Sequence, residues 1–139
     1  MTEVEAPNRP SPIANPRVNR ERIDFSHPSE EEFARILDFY GIEWLYEPMT
    51  FPLRWDERGN VLEAFSPDFY LVEQDLYVEL TTLRQKLIRI KNRKIRRLRE
   101  LYPHVNIRLW TRQDFMHFLE RFGIDERSEE LVGREALES

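Results

Sequence analysis

The chain has 139 residues, 34% of them charged and 40% hydrophobic, with a formal net charge of −5. That length suits one domain, and the absence of cysteine excludes disulfides, thiolate catalysis and cysteine-held zinc or iron–sulfur centres. No apolar run nears the roughly 18 residues of a membrane span, and the opening MTEVEAPNRPSPIANP has no apolar core, so no signal peptide, no membrane partner and a cytoplasmic location are expected.

Residues 1–27 mix four prolines with arginines and acids and show no periodicity. They read as a disordered or draped N-terminal arm. Pro28, then Ser29 and Glu32 spaced as a capping box, predict a helix start. Phe33, Ile36, Leu37 and Tyr40 give it an apolar face, and Gly41 ends it. Glu43–Phe51 reads as a strand with Pro48 as a bend, Asp56–Asn60 as a turn, and Leu62–Val72 as a second strand broken near Ser66–Pro67, with Trp44, Trp55 and Trp110 expected to pack even though Trp55 stands by the turn. Leu76–Thr82 is a third strand after the Glu73–Asp75 turn. Leu83–Tyr102 is a long helix stopped by Pro103, and Val105–Thr111 a fourth strand. Thr111 and Asp114 cap a last helix, whose face is Phe115, Phe118, Leu119 and Phe122 and whose end is Gly123. Residues 124–139 form an acidic C-terminal tail.

The order α-β-β-β-α-β-α predicts an α/β domain over 28–123. Its core would be a mixed four-stranded sheet with flanking helices, the last strand entering by a right-handed parallel crossover. A hairpin turning at Glu73–Asp75 brings Asp68 towards Glu79 across the ladder. On Leu76–Thr82 the period of two puts Tyr77, Glu79 and Thr81 on one face and Leu76, Val78 and Leu80 on the other. Two acids held close on a packed sheet repel, and a hard divalent cation with its preference for oxygen relieves that. The structural alternatives are a turn-capping aspartate and a glutamate paired with a helix lysine.

The sequence Pro67-Asp68 followed by Glu79-Leu80-Thr81, within this element order, resembles the PD-(D/E)XK nuclease superfamily, which includes restriction enzymes and Holliday junction resolvases. The resemblance covers about 28–123 and implies a restriction endonuclease-like core. It also implies a Mg²⁺- or Mn²⁺-dependent endonuclease that hydrolyses phosphodiester bonds in DNA, or less readily RNA. By it Asp68 and Glu79 are metal ligands, joined by a first-helix glutamate expected at Glu32, with Glu31 as the fallback. The family's lysine, two residues after that glutamate, is here Thr81, which carries no charge. In some members the lysine comes from the following helix. A helical wheel started at Leu83 puts Lys91 and Lys94 inside the apolar arc, so either is a candidate to meet the carboxylates, ahead of Lys86.

Residues 84–99 hold nine Lys/Arg and no acid. Like charges at these spacings repel, and a phosphate backbone would relieve them. Arg89, Arg93, Arg96 and Arg97 point outward on the wheel and are expected nucleic-acid contacts. A homodimer is one way for so small a core to act on two strands. The alternative function is a catalytically inactive module of the same fold, binding nucleic acid or an acidic protein through this helix.

Overall fold

The computed structural model describes residues 2–82 and 84–122; the expected acidic tail and the Gly123 helix stop lie outside them. Among the described residues no helix is long and apolar enough to cross a membrane. The described residues form a mixed α/β fold with two sheets.

In chain order the elements are β1 (Glu3–Val4), β2 (Ile13–Ala14), a 3-10 turn (Arg20–Arg22), α1 (Pro28–Phe39), β3 (Trp44–Tyr46), β4 (Met49–Asp56), β5 (Val61–Phe65), β6 (Phe69–Leu71), β7 (Leu76–Leu80), α2 (Gln85–Leu101) and β8 (Ile107–Trp110). Residues 112–122 form a further helix, α3.

The expected single sheet is corrected to two, and the reason is local. The first two predicted strands form one long hairpin that breaks on both sides at the same level. Trp44 pairs with Leu71 and Tyr46 with Phe69 below the break, while Phe51 pairs with Phe65 and Trp55 with Val61 above it. Between the halves lie Pro48 and Pro67, which have no amide to give a ladder. Glu47 there takes a positive φ of 42°, and its amide still donates to the Asp68 carbonyl at 2.8 Å. The upper half forms a sheet in which β4 pairs with β5 along its length and with the short β1 and β2 near its two ends. The arm is therefore paired as well as draped. The lower half forms the sheet β3-β6-β7-β8, antiparallel until β7 meets β8 in parallel. Trp55, expected to pack although it stands by the Asp56–Asn60 turn, is buried in β4.

Two cores follow from the alternation. On one face of the lower sheet, Trp44, Phe69, Leu71 and Val78 pack against Phe33, Ala34 and Leu37 of α1 and Phe115 and Leu119 of α3. On the other face, Ile107 packs with Ile95 and Leu98 of α2 and with Phe51, Leu53 and Phe65 of the upper sheet. α2 thus packs on both sheets through the apolar residues of its C-terminal half. Leu87 and Ile90, expected on the sheet-facing arc, are 41% and 38% exposed.

α1 starts differently from the capping box expected at Ser29 and Glu32. His27 is the N-cap, its Nδ1 accepting the Ser29 amide at 3.1 Å, and Pro28 fills the first helical position. At the far end the Gly41 amide donates to the Asp38 carbonyl and the Ile42 amide to the Leu37 carbonyl. That double bond pattern needs a left-handed residue, and Gly41 supplies it with φ 69°. α3 opens as expected, with the Thr111 hydroxyl and amide both donating to the Asp114 carboxylate at 2.9 Å.

Candidate metal and carboxylate centre

The break in the hairpin places acids where three elements meet. Asp68 follows Pro67 at the start of β6, Glu79 sits near the end of β7, and Glu47 lies at the bend itself. The Asp68 amide donates to Glu79 Oε1 at 3.1 Å, and Asp68 Oδ2 accepts the Leu80 amide at 2.9 Å. The hairpin therefore joins Asp68 and Glu79, as the turn spacing predicts.

The third carboxylate comes from α1, but it is Glu30. Glu30 is 6% exposed and its Oε1 accepts the Tyr46 hydroxyl at 2.7 Å. Glu32, the expected ligand, points to the rim. It is exposed and lies 3.5 Å from Arg112. Glu31, the fallback, pairs with Arg35 at 2.7 Å. The signal for Glu30 was present in the sequence. It stands three, four and seven positions before Phe33, Ala34 and Leu37, so it shares their face. The Ser29–Glu32 spacing of a capping box competes with that signal.

Glu30, Glu47 and Asp68 each bring a carboxylate oxygen to within 4.8 Å of the others. No sequence signal pointed to Glu47, because it depends on the bend that sets its backbone. The donor set is all oxygen, with Glu30 buried and Glu47 and Asp68 partly so, which fits a hard divalent cation. The electrostatics agree. Burial, then the neighbouring Glu79 carboxylate, push the Asp68 carboxyl up to about 8, against the opposing pull of the Leu80 amide and Lys91. Burial also pushes Glu79 above the usual carboxylate range, although Lys91 and the Asp68 amide hold it down. Burial and Glu30 raise Glu47. Tyr46 is pushed up to about 12, mainly by burial and, in part, by Glu30, so it keeps its proton and its bond.

Of the two candidate lysines, one reaches the acids. Lys91 Nζ lies 3.3 Å from Glu79 Oε2 and also donates to the Leu80 carbonyl. Lys94 is corrected out of the site: its ammonium sits 6.0 Å over the Phe65 ring, in the opposite core. One further helical step along the same arc carries it from the lower sheet to the upper. Thr81, where the motif would have its lysine, donates its hydroxyl to the Thr82 carbonyl.

The expected outward arginines divide in two. Arg89 and Arg96 are exposed. Arg93 forks onto both oxygens of Glu63 at 3.2 Å, and Arg97 donates through Nε to the Leu53 carbonyl at 3.1 Å. The latter two already have partners on the upper sheet, Arg93 in a solvent-exposed ion pair and Arg97 through Nε.

Glu30, Asp68 and Lys91 help to line a cleft of ≈ 1080 Å³. The ends of α1 and α2, the last residues of β7 and the first turns of α3 form its walls. Compared with family models, curated proteins and solved structures, the chain matches none.

Proposed function

We propose that the protein is a divalent-metal-dependent nuclease acting on DNA. The observation that carries this reading is the meeting of Asp68 with Glu30 and Glu47, and with Glu79 across the hairpin, where Glu30, Asp68 and Lys91 line a cleft. Glu30, Glu47 and Asp68 would hold Mg²⁺ or Mn²⁺. A bound ion of this kind lowers the pKa of its water and offsets charge on a phosphoryl oxygen. Glu79 keeps Lys91 beside Asp68. Lys91 offers its positive charge to a phosphate in the cleft, the task that Thr81 cannot perform. Tyr46 fixes one oxygen of Glu30 and leaves the other for the cation. The carboxylates sit among the ends of packed elements, so their spacing is set before any ligand arrives.

One observation favours a second reading. Lys91 already has two partners in Glu79 and the Leu80 carbonyl, as a structural lysine would. On that reading the fold binds DNA without cutting it.

The test is incubation of the purified protein with single-stranded, duplex and branched DNA in Mg²⁺ and in Mn²⁺, alongside Mn²⁺ titration calorimetry. Cleavage that disappears in Asp68→Asn supports the nuclease. Intact DNA throughout, with no divalent ion bound, sinks it. DNA binding without cleavage in either form supports the second reading.

A further inference from the structure

The cleft beside Asp68 offers more apolar surface than a phosphate backbone needs. Leu87 of α2 and Met116 of α3 line it while 41% and 45% exposed, and the half-buried Trp110 lies among its walls. Leu87 and Met116 lack the covering that the two cores give their neighbours, while Trp110 packs on Phe115 and Phe118 and is only partly covered. Positive charge is adjacent: Arg84, at the start of α2, and Lys91 share the same lining.

We propose that this cleft takes an unpaired DNA strand, with bases against Leu87, Met116 and Trp110 and the phosphates at Arg84 and Lys91. The proposal deepens the nuclease reading by naming the form of its substrate, and it rests on that reading for cleavage alone.

A duplex keeps its bases paired and stacked inside, so its sugar–phosphate surface would meet Arg84 and Lys91 and leave the apolar walls in water. An unpaired strand turns its bases outward, and every base has a flat apolar face to bury, whatever the sequence. The cleft is a little above the roughly 300–1,000 Å³ of pockets for drug-sized ligands. That volume suits unstacked bases, and Glu30 and Asp68 belong to the same lining. Thr81 and Gln113 add neutral hydrogen-bonding groups to the same lining. A phosphate carried past Lys91 is therefore held beside Asp68 by the base that precedes or follows it.

The experiment is fluorescence anisotropy with a short oligonucleotide, single-stranded and then annealed to its complement. It uses wild type, Leu87→Glu and Met116→Glu, with circular dichroism as the folding check. Cleavage of the same DNAs is followed in Mg²⁺. The single strand should bind about tenfold or more tighter than the duplex, and each substitution should weaken it by a similar factor, the scale of one lost base contact. Equal affinity for duplex, or single-strand binding unchanged in both variants, overturns the proposal. Preferential cutting of continuous duplex overturns it while leaving the nuclease reading intact. Single-strand binding that Leu87→Glu removes, with no cleavage of any DNA, overturns the nuclease reading and supports the cleft assignment.

Discussion

Asp56 and Asp68 stand on the same bent hairpin, one at its turn and one at its break, and the chain surrounds them in opposite ways. Asp56 is 2% exposed, and Oδ1 accepts the Arg58 and Asn60 amides at 2.9 Å each while Oδ2 accepts the Asn60 side chain at 3.2 Å. Burial would push it up, but those donors outweigh burial and hold its carboxyl below the usual range. Asp68 accepts one amide and faces Glu30, Glu47 and Glu79. A turn explains the first acid completely. Packing alone does not explain the second, because carboxylates brought together with little water oppose folding unless a proton or a cation joins them. Lys91 supplies one positive charge and the proton that Asp68 retains to about pH 8 another, and a divalent cation would take that proton's place.

The strongest attack on this contrast is Asp68→Asn. The amide keeps an acceptor for the Leu80 N–H and removes the negative charge. Cleavage should fall on the order of a thousandfold, since metal-ion stabilisation is worth several kcal/mol. In metal-free buffer at pH 8 the same variant should melt higher than wild type, whereas Asp56→Asn should melt lower. If both substitutions lower the melting temperature alike, the two acids do not differ as described.

Lys91→Met should come next, at about a hundredfold loss of cleavage, the scale of one preorganised charge at a developing anion. Lys94→Met keeps the stem over Phe65 and should stay within about twofold on the same scale. Steady-state cleavage of one labelled oligonucleotide compares them. Equal losses would return Lys94 to the site. Titration of Mg²⁺ against Glu79→Gln and Glu47→Gln then divides the acids. A weakened Mg²⁺ requirement is expected in Glu47→Gln, with Glu79→Gln losing rate at saturating Mg²⁺.

Acidity gives a smaller effect of defined sign. An unfolded aspartate titrates near 3.8, while Asp68 in the fold titrates at about 8. Between those values the folded state holds a proton that the unfolded state releases, so stability falls as pH rises through that window. Asp56 is lowered, so its contribution runs the other way and is lost in acid. Melting curves from pH 5 to pH 9 without metal should show the Asp68 decline, and saturating Mg²⁺ should flatten it. A decline that Mg²⁺ leaves untouched would mean that the cation does not replace that proton.

The parts legible in the sequence were those set by local pattern. The alternation of Tyr77 with Val78 and Leu80, the Asp68–Glu79 hairpin, the glycine stop at Gly41 and the Thr111–Asp114 cap all depend on residues near each other in the chain. Glu30 was legible by its spacing from Phe33 and Leu37, but a competing capping pattern obscured it. Glu47 and the split into two sheets were not legible, because each requires Pro48 and Pro67 to fall opposite one another, a matter of register across the hairpin. The choice of Lys91 over Lys94 was hidden for a similar reason. The helical wheel gives one arc, while α2 packs on two sheets, and only the three-dimensional offset between them assigns each lysine.

The same offset governs the outer face of α2, where the expected effects are smallest. Arg93 is fixed to Glu63, and Arg89 and Arg96 are exposed. If α2 lies along DNA beside the cleft, Arg89→Gln and Arg96→Gln should each weaken binding a few-fold and reduce the slope of log affinity against log salt by about 1. Arg93→Gln should leave that slope unchanged, because its charge is already matched within the protein. Its cost would be to stability, within the roughly 0–1 kcal/mol of an exposed ion pair. Anisotropy across a salt series separates the two kinds of arginine. A slope that changes equally in all three variants would mean that Glu63 releases Arg93 to the phosphates, and the basic helix would then act as one undivided surface.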